Sequence, residues 1–125
     1  MTRAFGGRRT GPTRTLNLSL VSRNVTVGGK RTSLRLEDYF WKGLSEICAA
    51  LGRKRDDVMT TIDRDRYGIG LTSAVRVFIL SYYRTQVERP LATPEELLAA
   101  ALAEVDEALA NALRSQRPQR DTSPL

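Results

Sequence analysis

The most informative part of this chain is the stretch KRTSLRLEDYFWKGL, residues 30–44, in which the spacing of the apolar residues changes. Apolar and polar side chains alternate over residues 31–36, which predicts a short strand with one buried and one exposed face. The residues predicted on the exposed face are Arg31, Ser33 and Arg35. From Glu37 onward the apolar residues recur every three or four positions, which predicts a helix that ends at Gly52.

A single strand leaves its backbone N–H and C=O groups unpaired, which costs free energy. A second copy of the same strand, supplied by a second chain through twofold symmetry, would pair them. The sequence therefore predicts an intertwined homodimer with an intermolecular antiparallel β-ribbon. The residues predicted to form the core of this dimer are Leu34, Leu36, Phe40, Leu44 and Ile47.

Such a ribbon is narrow enough to enter the major groove of DNA. Arginine can bond there to O6 and N7 of one guanine, and serine can donate or accept a hydrogen bond. We therefore predict that Arg31, Ser33 and Arg35 contact bases. A slip of the strand by one residue would bury both arginines, so the leucines on the other face fix the register.

Two features precede this stretch. Residues 1–23 are predicted to be a flexible basic arm, because the first fifteen are rich in Gly, Thr and Arg. The arginines expected to bind DNA there without sequence preference are Arg3, Arg8, Arg9 and Arg14. Val25 and Val27 alternate before the pair Gly28-Gly29, a pattern that fits either a tight hairpin or a flexible hinge.

Three more helices are predicted after the first. The second begins near Arg55 and ends at the glycines of RYGIG, residues 66–70, and the third is apolar on most of its surface. The third helix should therefore be buried or shared with another subunit. A capping box of Thr93 and Glu96 begins an amphipathic helix within residues 90–114. The predicted fold is mostly α with a short N-terminal strand, in a domain at 24–89, with a disordered tail at 115–125.

The composition favours an anionic partner and leaves little room for catalysis. The chain has 125 residues, with 20 Lys and Arg against 14 Asp and Glu, and a net charge of +6. It has no histidine and one cysteine, Cys48, so a disulfide, a zinc site or a Ser-His pair cannot be assembled. We expect a non-enzymatic protein without metal or cofactor. We also expect it in the cytoplasm, associated with the nucleoid, and without a membrane-spanning segment.

The order of these elements resembles that of ribbon-helix-helix DNA-binding proteins, in a bacterial branch that continues with a third helix. The segments RTSLRLE, FWKGL, IDRDR and LTSAVRVFIL occur in the order of that family over about residues 24–84. The resemblance implies an obligate dimer that binds operator DNA with paired strands, and it leaves open a higher oligomer on DNA. It implies the same three base-facing residues as the alternation does.

The resemblance also implies that backbone N–H groups at the start of the second helix clamp a DNA phosphate. The residues assigned to phosphate contact are Lys30, Arg53, Lys54 and Arg55. This chain departs from the family at the helix cap, where Lys54 replaces the usual Ser, Thr or Asn. Asp56 and Asp57 follow it, and their charge would repel a phosphate.

Two functions fit these observations. The first is a sequence-specific DNA-binding protein, a transcriptional repressor or autoregulator. The alternative is an antitoxin-like or adaptor protein whose helix at residues 94–114 binds a partner protein. Deletion of residues 91–125 would separate the two, because it should abolish partner binding and leave DNA binding intact.

Overall fold

A computed structural model describes residues 19–66 and 68–115. It describes the side chains of all of these except residues 108–110, 112, 113 and 115. The described chain is mostly helical, with an antiparallel hairpin at its N-terminal end. The strands are β1 (Leu20–Val27) and β2 (Lys30–Glu37). The helices are α1 (Asp38–Leu51), α2 (Arg55–Arg66), α3 (Leu71–Glu88) and α4 (Pro94–Ser115).

The hairpin is closed by a two-residue turn at Gly28 and Gly29, whose φ angles are 57° and 82°. Positive φ at both turn positions matches the twist of the strands and favours glycine. The register runs from Leu20 opposite Glu37 to Val27 opposite Lys30. Of the two interpretations of Gly28-Gly29, the structure therefore adopts the hairpin.

This pairing supplies one strand partner for residues 31–36 within the chain, and the intermolecular pairing stays a prediction. Their partner in the structure is β1 of the same chain, because a two-residue turn closes the pair at very small loop-closure cost. β1 begins at Leu20, so residues 20–23, which we predicted as part of the arm, belong to the sheet. The four arm arginines lie in residues 1–18, outside the described residues.

One face of the hairpin packs on the helices and completes a single core. Leu36 and Leu44 are fully buried, and Leu34 and Ile47 are nearly so, whereas Phe40 is only partly buried. Four of the five residues predicted for a dimer core thus belong to the core of the single chain. Their spacing is satisfied within the chain because β2 and the later helices pack against α1, and β1 packs on α2.

α4 lies along α3 and explains why α3 is apolar on most of its surface. The capping box is confirmed: the Thr93 N–H donates to Glu96 Oε1 at 2.8 Å, and the Glu96 N–H donates to Thr93 Oγ1 at 3.2 Å. The buried residues of α4 are Leu97, Leu98, Ala101 and Val105. The alternative hypothesis assigned the apolar side of this helix to a partner protein. As far as Val105, that side is covered by the chain itself.

Candidate nucleic-acid interface

The outward face of the hairpin carries the predicted base-contacting residues. Arg31, Ser33 and Arg35 are exposed and alternate with buried Leu34 and Leu36, as the sequence predicts. Within the described chain, neither arginine side chain takes part in a hydrogen bond, an ion pair or a ring contact. Both guanidinium groups are therefore available to a ligand, and their Cα atoms are about 13 Å apart along the strand.

β1 adds polar side chains to this face that sequence reasoning missed. Its outward residues are Ser22, Asn24 and Thr26. They lie opposite Arg35, Ser33 and Arg31 respectively. Ser22 Oγ and Ser33 Oγ are 3.1 Å apart, so the two hydroxyls share a hydrogen bond. The alternation of Val25 and Val27 was the available signal, because it places the residues between them on the opposite face.

The two edges of the hairpin differ in their backbone partners. A two-residue turn makes Val27 and Lys30 a hydrogen-bonded pair, so the backbone groups of Arg31, Ser33 and Arg35 point away from β1. Thr26, opposite Arg31, points outward from the other edge and donates its N–H to Asp56 Oδ1 at 3.1 Å. In the described part of the chain, the outer edge of β1 is covered by α2 and the outer edge of β2 is open.

α2 begins against the hairpin, which bears on the predicted phosphate clamp. Besides the bond from Thr26 to Asp56, the Gly28 N–H donates to Thr60 Oγ1 at 3.0 Å. Asp56 therefore has a structural partner that the sequence did not reveal. The carboxylates of Asp56 and Asp57 both remain in the first turn of α2, where they oppose a phosphate.

The basic residues from Arg53 to Arg55, at the end of the turn and the start of α2, are placed in three different environments. Arg53 Nη2 lies 2.9 Å from Glu95 Oε1 at the start of α4. The Arg55 guanidinium carbon lies 5.3 Å from the ring centroid of Trp41. Lys54 is exposed, and within the described residues its side chain forms no ion pair or hydrogen bond. Lys30, beside the hairpin turn, is also exposed, so phosphate contact by these four residues stays a prediction.

The start of α3 differs from the start of α2. Its N-cap is Gly70, it has no side-chain cap, and its first turn has no acidic residue. Backbone N–H groups at an uncapped helix start attract anions, and α3 lacks the opposing charge that α2 carries.

An ion pair ties the end of β2 to α3. Arg76 Nη2 lies 2.8 Å from Glu37 Oε1 and 3.1 Å from Oε2, and Arg76 Nε lies 3.1 Å from Oε1. The hydrogen bonds from Arg76 lower the pKa of Glu37 below its ordinary value. The same guanidinium carbon is 5.7 Å from the ring centroid of Phe40. These contacts hold the C-terminal end of β2 at a fixed angle to the helices.

The helices support an exposed strand face whose arginines have no partner in the described chain. A protein with this arrangement can place a β-ribbon in the major groove. A family model described as "Ribbon-helix-helix domain" matches residues 20–83. The match covers just over half of the chain and begins where β1 begins. The chain belongs to the ribbon-helix-helix family, whose members are DNA-binding transcription regulators and typically not enzymes. The resemblance found in the sequence is thereby confirmed.

The fold also occurs in a solved structure, that of an uncharacterized protein from Bordetella pertussis Tohama I. The two are 23% identical, and the TM-score is 0.57 over 100% of this chain and 98% of that one. At this identity the likeness concerns the fold alone. No curated protein matched the chain. Among the described helices, none combines the length and the apolar character that crossing a membrane requires.

Proposed function

We propose that this chain is a sequence-specific double-stranded DNA-binding protein that acts as a transcriptional repressor or autoregulator. The observation that carries the proposal is the outward face of β2. Arg31 and Arg35 are exposed on a strand whose other face is buried, and neither has a partner in the described chain. The strand fixes the backbone of both arginines, so ordering on binding is confined to their side chains.

A second copy of the chain would complete the DNA-binding surface. The outward backbone groups of Arg31, Ser33 and Arg35 can pair with the same groups of a twofold-related β2. In the register that sets Ser33 opposite its own copy, Arg31 lies opposite Arg35 of the second chain. The central ribbon then carries four arginines, and a hairpin strand β1 lies on each outer side.

The helices beside the open edge support the same arrangement. A cavity of about 400 Å³ lies between α1 and α3. Its walls include Tyr39 and Leu80, which are 59% and 58% exposed, and the partly buried Phe40. Phe40 contacts Arg76, which binds the last residue of β2, so this apolar surface continues from the open edge. A second copy paired through β2 would cover it.

Each arginine that bonds to one guanine contributes about 1–3 kcal/mol of discrimination against other bases. The major groove is about 12 Å wide, enough for two paired strands and their side chains. Ser33 at the centre, held by Ser22, would allow close approach of the ribbon to the base edges. These magnitudes suit a protein that selects a short site repeated about a twofold axis.

The test is selection of bound duplexes from a random pool with the full chain, combined with sedimentation to determine its oligomeric state. We expect an inverted repeat of two half-sites and a dimer. A variant with Arg31→Ala and Arg35→Ala should enrich no sequence, whereas Arg84→Ala, on the exposed side of α3, should enrich the same site as the wild type. A wild type that selects no sequence, or that stays monomeric on DNA, contradicts the proposal.

A further inference from the structure

A small polar cavity lies between the C-terminal part of α3 and the middle of α4. Its walls are formed by Ser81, Arg84, Thr85 and Glu88 of α3 and by Glu104 of α4. The residues of α3 are three or four positions apart along one side of the helix, so they face the cavity together. The volume is about 90 Å³, which is room for about three water molecules. Oxygen atoms on the walls of so small a cavity are close enough to be bridged by one ion and its water.

One wall of this cavity carries a buried hydroxyl that lacks a partner. Thr85 is 9% exposed, and within the described residues its side chain forms no hydrogen bond. The hydroxyls of Thr60 and Thr61 in α2 differ, because each donates to the backbone carbonyl one turn earlier, at 2.8 Å and 3.0 Å. A buried hydroxyl left unpaired costs free energy. The unpaired hydroxyl of Thr85 therefore indicates that a ligand in the cavity pairs with it.

The charges around the cavity favour a cation. Glu88 and Glu104 contribute two carboxylates, and Arg84 contributes one positive charge. Arg84 Nη2 lies 3.9 Å from Glu88 Oε2 with side chains 70% and 64% exposed, so this ion pair is weak. Glu104 is exposed and has no ion pair in the described part of the chain. The last turn of α3 contains no basic residue, so the negative end of its helix dipole adds to the same potential.

We propose that this cavity binds a divalent cation that prefers oxygen ligands, Mg²⁺ or Ca²⁺. Glu88 and Glu104 hold the ion from the two helices, and Thr85 Oγ1 pairs with the ion or with a water bound to it. One or two carboxylates completed by water are the usual protein ligands of Mg²⁺, and Ca²⁺ accepts the same oxygens. Among the described residues, no group of three His, Cys, Asp or Glu side chains is placed to hold a metal. With two carboxylates the expected affinity is weak, with a Kd of about 0.1–1 mM.

The ion fastens α4 to α3 where the contact between the two helices is polar. The family match ends at residue 83, so the site lies where α3 continues beyond the matched domain and meets α4. It needs no DNA and therefore goes beyond the proposed function. The sequence predicted no metal site because the chain has no histidine and one cysteine. The ligands proposed here are oxygen atoms that come together only when α3 and α4 pack.

The first measurement is thermal unfolding of the full chain in MgCl₂ or CaCl₂, with the ionic strength held constant by NaCl. At ten times the Kd, a bound ion raises the equilibrium constant for folding about tenfold, so Tm should rise by about 5 °C. The variant E88Q/E104Q keeps the size of both side chains and should show no rise. The control D106N/E107Q removes the same charge from exposed positions of α4 outside the cavity, and it should show the wild-type rise.

Two further variants separate ion binding from a purely structural role. T85V removes the unpaired hydroxyl and keeps the shape of the side chain. Without added cation its Tm should equal or exceed that of the wild type, and the rise with cation should be smaller. R84Q removes the competing guanidinium, so the ion should bind several-fold more tightly and the rise should occur at a lower concentration. A rise in T85V and R84Q that matches the wild type at every concentration contradicts the assignment.

Titration calorimetry of the wild type with MgCl₂ and with CaCl₂ identifies the ion. Binding of either at one ion per chain, lost in E88Q/E104Q, supports the proposal. If the wild type binds neither ion up to about 10 mM, ten times the weakest expected Kd, the cavity holds water alone and the proposal is overturned. A Tm rise that persists in E88Q/E104Q is a general salt effect and also overturns it. Neither result depends on DNA, so the ion site and the proposed function succeed or fail separately.

Discussion

The outward face of the hairpin and the turn between α1 and α2 are both rich in basic residues, yet these residues have different partners. Arg31 and Arg35 of the hairpin have no partner in the described chain. In the turn, Arg53 is paired with Glu95, and Arg55, the first residue of α2, is held on Trp41. The charge of a segment therefore does not tell which of its charges are available to a ligand.

The cause lies in the geometry of the two regions. A strand that is buried on one face turns every second side chain away from the protein, so Arg31 and Arg35 cannot reach an acidic partner in the core. A turn at the end of a helix lies against whatever packs beside it. Here the start of α4, with Glu95 in its first turn, lies beside Arg53.

The largest effect should come from the leucines that hold the hairpin in place. Leu36 is fully buried, so Leu36→Ala should lower the free energy of unfolding by about 2–5 kcal/mol through lost burial and the cavity left behind. Chemical denaturation measures this. Leu91→Ala is the matched control, because Leu91 is 97% exposed and its truncation should change stability by less than about 0.5 kcal/mol. Equal losses of stability in the two variants would show that the burial of Leu36 does not hold the hairpin in place.

The next effect tests the outward face itself. Arg35→Ala should weaken binding to the selected site by about 1–3 kcal/mol and relax the preference at one base pair of each half-site. Its thermal unfolding should stay near that of the wild type, because the Arg35 side chain makes no polar contact in the described chain. Competition titration against scrambled duplex measures the preference. If the preference is retained in full, Arg35 does not contact bases.

A smaller effect is expected in the turn. Arg53→Gln removes an ion pair whose side chains are 38% and 59% exposed, so stability should change by about 0–1 kcal/mol. Duplex affinity should change less than with Arg35→Ala, because Glu95 already holds this guanidinium. Glu95→Gln should free Arg53 and make the salt dependence of binding slightly steeper. If Arg53→Gln weakens binding as much as Arg35→Ala does, the ion pair opens on DNA and the two regions act alike.

The smallest effect concerns pH. The hydrogen bonds from Arg76 lower the pKa of Glu37, whose ordinary value is 4.5. Since the folded protein holds this carboxylate ionised, the contribution to stability is present above the unfolded pKa and is lost as the pH falls through the lower, folded value. Denaturation midpoints measured from about pH 6 to pH 3 should decline less in Glu37→Gln than in the wild type. The same decline in both proteins would show that this pair does not link β2 to α3 in solution.

Much of the local structure could be predicted from residue spacing. The alternation in residues 31–36 predicted the strand and its outward face, and the pattern of Thr93 and Glu96 predicted the start of α4. Gly52 ends α1 with a φ of 67°, as predicted for a C-terminal cap. These features depend on residues within a few positions of each other, so spacing is sufficient to detect them.

The partners of the candidate site could not be predicted in the same way. The pair of Arg53 and Glu95 joins residues 42 positions apart, and Trp41 collects arginines from two other elements. The sequence around Arg23 does not indicate its contact with Trp41, because the two residues come together only when β1 and α1 pack. The same holds for Asp56, which binds the hairpin through Thr26.

Residue order alone was enough to specify which faces of the strand and helices are apolar, where α1 ends and α4 begins, and which arginines point away from the leucines. Only the tertiary structure shows that β2 pairs with β1 of the same chain, and which basic side chains remain unpaired within the described residues. The cause is one of range. Alternation and capping are set by backbone geometry over a few residues, whereas pairing depends on which distant surfaces bury the most apolar area when the whole chain packs.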